Sequence, residues 1–198
     1  MSRCDNRAMK RILIIGCAGS GKSTMARKLQ KILDIPLIYL DLLWHLPDGS
    51  HVSQEEFDKK LASVLSKEAW ILDGNYRRTL KERLERCDTV FLLDLPVEVC
   101  FEQAKNRIGK PRPDLPWQET EFDPDFQKWI LEFPKKNLPE IKKILKDYGS
   151  GKTVFVLHSH QEIEDCLQAI RVLHQFEAAD EKENERPDEN WIEEDGFY

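Results

Sequence analysis

Five cysteines are scattered through the 198 residues, and no two of them form a C-x-x-C pair. An odd, dispersed set of thiols argues against a disulfide framework and against a structural zinc site, and predicts reduced cysteines. No apolar run approaches the roughly 20 residues that a membrane-crossing helix needs. The opening stretch, MSRCDNRAMKR, is basic but lacks the small-residue cleavage site of a secretory leader. A cytoplasmic protein with no membrane partner is expected. There is no internal repeat. There is also no basic stripe or helix-turn-helix pattern of the kind that would call for nucleic acid. The net charge of −6 is an uneven average. Ten Asp and Glu against two Lys and Arg lie between Glu177 and Tyr198, which leaves residues 1–176 at about +2. The body is nearly neutral.

What is present is a regular alternation. RILIIG (11–16), PLIYLD (36–41), WILDG (70–74), TVFLLDLP (89–96) and KTVFVLHS (152–159) read as five strands. Their almost continuous hydrophobicity fits a parallel sheet covered on both faces. Helical patterns fall at 22–33, 53–66, 77–86, 97–108, 124–147 and 160–175, the second opened by a capping box of Ser53 and Glu56. This order predicts a three-layer α/β domain over residues 1–176. Residues 109–124 hold four prolines and exceed an ordinary connector, as a lid does. Residues 177–198 read as an acidic, flexible tail whose NWIEEDGFY retains three aromatics.

The first strand runs into GCAGSGKST, Gly16 to Thr24, which fits G-x-x-x-x-G-K-[ST] at every position. Gly16, Gly19 and Gly21 let the backbone turn so that its N–H groups converge on phosphate oxygens. Cys17, Ala18 and Ser20 fill the loop between them. Lys22 is expected to reach the β- and γ-phosphates of ATP, and the Ser23 hydroxyl to ligate Mg²⁺, with Thr24 beside it on a helix whose positive end faces the anion. Guanine recognition would want an N-K-x-D element, and the chain has none.

Three strand ends carry acids, and ligands gather at the carboxyl ends of strands in such sheets. Asp73 is the candidate metal ligand, with helix capping as the alternative. Asp41 could bind or deprotonate an acceptor hydroxyl, or cap a turn. Asp94 reads as structural. Trp44 and His45 could contact an acceptor ring, with core packing as the other reading of Trp44. His158 and His160 lack a third ligand for a metal. Lys128, Lys135 and Lys136 read as a solvated helix face.

ILDGNYRRT (71–79) resembles the DGFPR-T segment of adenylate kinases, and residues 91–114 follow the strand, proline, helix and lid of nucleoside monophosphate kinases. More narrowly, Leu40-Asp41, Trp70 to Tyr76, Arg112-Pro113-Asp114 and Trp129 to Pro134 resemble the adenylate-kinase-like P-loop proteins labelled DNA topology modulation (FlaR-type) proteins. The likeness covers roughly residues 10–175. It implies a five-stranded sheet in the order 2-3-1-4-5, a closing lid, and phosphoryl transfer from ATP and Mg²⁺ to a small acceptor, first of all a nucleoside monophosphate. By position it gives the acceptor clamp to Arg77 or Arg78, the transferred phosphoryl group to Arg107 and Arg112, and the acceptor pocket to Asp41, Trp44, Asn75 and Tyr76. A domain of this kind is expected to work as a monomer or weak dimer. Asn75-Tyr76 stands where adenylate kinases have Phe-Pro, and Gln103 where they carry a lid arginine. The acceptor need not be AMP. A small-metabolite kinase of the shikimate or gluconate kind shares the fold, and the family label adds an ATP-binding regulator of DNA topology.

Overall fold

The computed structural model describes residues 9–184. Strands β1 (Arg11–Gly16), β2 (Leu37–Tyr39), β3 (Trp70–Asp73), β4 (Thr89–Leu93) and β5 (Thr153–Leu157) form one sheet in the order β2-β3-β1-β4-β5, parallel throughout. β1 lies at the centre, and Ile12 to Ile15 are fully buried there. An interior parallel strand has apolar neighbours above and below, so a run such as ILII is stable only in that position. The Asp88 carboxylate accepts from the Arg11 N–H at 2.7 Å and so fixes where β1 begins.

Helices α1 (Lys22–Leu33), α2 (Leu40–Trp44), α3 (Gln54–Leu65), α4 (Leu80–Arg86), α5 (Val97–Asn106), α6 (Pro124–Lys136), α7 (Leu138–Tyr148) and α8 (His160–Asn184) cover the sheet on both sides. A 3₁₀ turn at Arg77–Thr79 leads into α4. Ser53 caps α3 as expected, its hydroxyl accepting from the Glu56 N–H at 3.1 Å. The Asp123 carboxylate caps α6 by accepting from the Phe126 N–H at 2.7 Å, and Pro124 opens that helix.

Three details differ from the pattern read in the sequence. The helix expected over 124–147 is two helices with a break at Asn137. Pro139 explains it, since a proline lacks the N–H and its ring crowds the carbonyl four residues back, yet it suits the first turn of a new helix. Residues 40–44 form the short α2, because Leu40 turns fully into the core after only three residues of β2. Finally, α8 runs on to Asn184 rather than ending at 175. The remainder of the acidic segment, with its three aromatics, lies outside the described residues.

The segment between α5 and α6 is irregular and closed on itself. The Gly109 N–H donates to the Glu119 carbonyl at 2.8 Å, and the Gln118 amide returns a bond to the Gly109 carbonyl at 2.6 Å. Its base rests on a run of rings. Phe101 meets Phe122 at 5.1 Å, Phe126 stacks on Trp129 at 6.0 Å, and Trp129 abuts Phe133 at 5.3 Å.

Candidate active site

A cavity of roughly 890 Å³ opens at the carboxyl ends of the strands, between the Gly16–Thr24 loop and the irregular 109–123 segment. Its floor is set by backbone geometry. Gly19 has φ +81°, and a β-carbon there would stand 2.0 Å from the Cys100 carbonyl of α5. Gly16 is as tightly placed, with the Leu93 carbonyl 2.4 Å from where its β-carbon would be. No side chain fits either position, so the loop can lie against β4 and α5 only as glycine. α1 begins immediately after, and Lys22, Ser23 and Thr24 of its first turn line the cavity.

Asp73 reaches the floor because β3 pairs with β1 in a register that sets Asp73 against Ile14. The Ser23 hydroxyl lies 2.5 Å from Asp73 Oδ2 and 3.0 Å from Asp114 Oδ2. Asp73 is 5% exposed, and its Oδ1 has no hydrogen-bond partner among the described residues. Burial raises its carboxyl to about 6 against the pull of Lys22 and Ser23. The Lys22 ammonium donates to the Cys17 carbonyl at 2.8 Å, folded back over the loop.

The adjoining loop is tied down tightly. Asn75 braces the P-loop with its amide, Oδ1 accepting from the Gly16 N–H at 3.0 Å and Nδ2 donating to the Gly16 carbonyl at 2.7 Å. Tyr76 follows at φ +27°, stacks on Phe57 at 5.2 Å and donates to Asp41 Oδ1 at 2.8 Å. Burial, and then the Asp41 charge, raise the Tyr76 phenol, so it stays a donor. His45 lines the cavity edge-on to Trp117 of the lid at 4.8 Å.

The 109–123 segment and the preceding Arg107 present a compact ion network. Arg112 pairs with Asp114 and with Glu119, the latter at 2.6 Å, and Arg107 lies 3.4 Å from Glu119. Burial works to raise the Asp114 carboxyl, but the Arg112 guanidinium outweighs it and holds it below the usual range. Burial lowers Arg107, with Arg112 adding to the effect.

Of the residues singled out in the sequence, Lys22, Ser23, Asp41, Asp73, Asn75, Tyr76, Arg107 and Arg112 all line this cavity. Arg77, Arg78 and Trp44 do not. Arg77 turns outward to an ion pair with Glu140, and Arg78 grips Asp58 through two bonds, the longer 3.0 Å. Both arginines are about half exposed. Trp44 stacks on His51 at 4.5 Å and packs edge-on against Phe57 at 5.5 Å. Arg83, which drew no notice in the sequence, is the buried arginine here. It donates to the carbonyls of Gly74, at 2.9 Å, Asn75, and Tyr76, at 2.8 Å, and so holds the loop after β3 in shape. Asp114 and Glu119 were also passed over as site residues, although the charge alternation in PRPDLPWQETE was there to find. Asp94 is structural in its contacts, bonded to Lys142 at 2.8 Å and facing His158 at 3.8 Å. Among the described residues no trio of His, Cys, Asp or Glu side chains is grouped for a metal.

Sheet order, helices on both faces and the glycine loop between β1 and α1 together define a P-loop fold of the kinase-like type. A shikimate kinase from Acinetobacter baumannii in complex with shikimate is similar over 91% of this chain and 97% of its own, with a TM-score of 0.52 and 17% identity. A shikimate kinase from Bacteroides thetaiotaomicron is similar over 85% of this chain and 99% of its own, with a TM-score of 0.50 and 20% identity. At such identities the likeness speaks to the fold alone. No family model and no curated protein matches the chain.

Proposed function

We propose that this protein is an ATP-dependent phosphotransferase acting on a small acceptor, with a nucleoside monophosphate as the first acceptor to test. One observation carries the reading. The Ser23 hydroxyl at the start of α1 meets a buried carboxylate, Asp73, at 2.5 Å, and that carboxylate keeps a second oxygen without a partner. An unpaired buried charge is expensive unless a cation completes it. The residues therefore fit Mg²⁺ arriving with the nucleotide, held through Ser23 and Asp73, because this ion usually takes one or two carboxylates and fills its remaining positions with phosphate and water. Bound there, the ion would neutralise charge on the phosphate oxygens.

The remaining roles belong to the chain. Loop N–H groups and the α1 terminus would hold the donor phosphates, and Lys22 would leave the Cys17 carbonyl for them. Arg107 and Arg112, both on the cavity wall, would meet the transferring group from the lid side. Asp41 would orient the acceptor while Tyr76 holds its carboxylate in place.

A second reading rests on a specific observation. Asp41 lines the cavity, whereas Arg77 and Arg78 turn away to Glu140 and Asp58. A wall that has a carboxylate and lacks both Arg77 and Arg78 suits an acceptor with a free hydroxyl, as in a small-metabolite kinase. A coupled assay of ADP release with AMP, CMP, UMP and dTMP, beside shikimate, gluconate and similar hydroxy acids, separates the two. Turnover of a nucleotide supports the first reading, and turnover confined to a hydroxy acid replaces it with the second. Tight binding of duplex DNA at physiological salt with no phosphate transfer to any acceptor would sink both and leave the DNA-regulator reading.

A further inference from the structure

Asp114 is the puzzling member of this cavity. It comes from the lid, forty-one positions beyond Asp73, and it is 4% exposed. Arg112 already has Glu119 as a partner at 2.6 Å, so the ion network of the lid does not depend on a second acid. Yet Asp114 directs Oδ2 at the Ser23 hydroxyl, 3.0 Å away, while Asp73 Oδ2 lies 2.5 Å from the same oxygen. A serine hydroxyl has one proton and can donate to one of them only. The other carboxylate then faces a lone pair, and Asp73 Oδ1 is buried without any partner. No cationic side chain donates a hydrogen bond to Asp73 among the described residues, and Lys22 is held by the Cys17 carbonyl. Of the two acids, Arg112 supplies donors to Asp114 alone, so on the Asp73 side the two carboxylates and one hydroxyl converge with more acceptors than donors, a balance that a divalent cation corrects.

We propose that Asp114 is the second carboxylate of the cation site, so that the ion is fully held only when the lid lies on the P-loop. Arg112 donates to both oxygens of Asp114, and Oδ2 is the oxygen that it shares with Ser23. Cation binding and delivery of a lid arginine to the phosphates become one event. The proposal rests on the phosphotransferase reading above, in that the remaining positions around the ion belong to nucleotide phosphates.

The test uses Mn²⁺ as the probe ion and a non-hydrolysable ATP analogue, with the full chain and its Asp114→Asn variant. Calorimetry gives the analogue affinity without metal and the Mn²⁺ affinity of the analogue complex. Hydrogen exchange reads protection over residues 109–123. Asp114→Asn is expected to weaken Mn²⁺ binding about tenfold or more, the range seen when groups that support a metal are removed. Metal-free analogue affinity should stay within about twofold. Mn²⁺ should protect the lid in the wild type and not in the variant, with Asp114→Glu recovering part of both effects. Arg112→Gln guards against misfolding at Asp114, since it keeps the carboxylate and should retain Mn²⁺ affinity. Unchanged Mn²⁺ affinity in Asp114→Asn, or lid protection indifferent to Mn²⁺, reduces Asp114 to a positioning residue for Arg112 and overturns the proposal. A wild-type chain that binds no analogue, with or without Mn²⁺, is a different outcome. It removes the phosphotransferase reading itself, and this proposal with it.

Discussion

The two walls of the cavity are built on opposite principles. The floor, Gly16 to Thr24 with Asp73 to Tyr76, is positioned by backbone: glycines pressed on carbonyls, a strand register, and an arginine bonded to three main-chain oxygens. The opposite wall, the irregular 109–123 segment, is positioned by side-chain charge. Arg107, Arg112, Asp114 and Glu119 hold one another across a segment with no helix or strand of its own. Backbone constraints are stiff and tolerate almost no substitution. The ion pairs of the 109–123 segment are mostly shielded from water, yet each depends on a pair of side chains and not on the main chain. Changes to the floor should therefore lose fold or chemistry outright, while a change in the 109–123 segment that keeps the charge should lose rate and leave stability largely alone.

The largest effect belongs to Lys22→Ala. ATP turnover should fall by about a thousandfold or more in a coupled assay, with circular dichroism unchanged, because a positioned cation on the phosphates supplies much of such catalysis. Next comes Gly19→Ala. A β-carbon 2.0 Å from a carbonyl oxygen at φ +81° should lower stability by roughly 2–4 kcal/mol in thermal or urea unfolding. Asp73→Asn separates the two aspects of the floor. Burial keeps the folded-state carboxyl near 6, above the ordinary 3.8, so the folded chain takes up a proton more readily than the unfolded one between those values. Stability therefore falls as pH rises through about 4 to 6, and asparagine removes that fall. The variant should be inactive yet more stable at pH 8 by roughly 1–3 kcal/mol. Arg112→Lys comes next. It keeps the charge but loses the fork to Asp114 and Glu119, and should reduce kcat about tenfold with little change in melting temperature. Should it unfold the chain as severely as Gly19→Ala does, the contrast between the walls is wrong. The smallest effect is expected of Arg78→Ala. An exposed pair with Asp58 is worth about 0–1 kcal/mol, and acceptor KM should hold within about twofold. A large rise in KM would return Arg78 to the acceptor.

The same division governs how much could be read from the sequence. The five strands and α1 were legible because continuous apolar runs and the G-x-x-x-x-G-K-S spacing are local signals of local constraints. Asp73 was legible too, as an acid closing a buried strand. The arginines were not. Arg77, Arg78 and Arg83 lie within seven positions of one another, and what separates them is which carboxylate or carbonyl stands opposite after folding. Glu140 and Asp58 take the first two outward, and three loop carbonyls take the third inward. Nothing near 77–83 in the chain encodes those partners. The break between α6 and α7 is a different case, since Pro134 and Pro139 stood in plain view of the periodicity that joined the two helices.

The Asn75 amide, bonded to both the N–H and the carbonyl of Gly16, has a mechanical consequence. A paired donor and acceptor across two loops acts as a cross-tie. The Gly16–Thr24 loop and the turn bearing Tyr76 are tied together, so a shift of one draws on the other. Compliance is left to the opposite wall. Under the proposed function, selectivity for an acceptor on the Asp41 side becomes a matter of fit to a fixed mould.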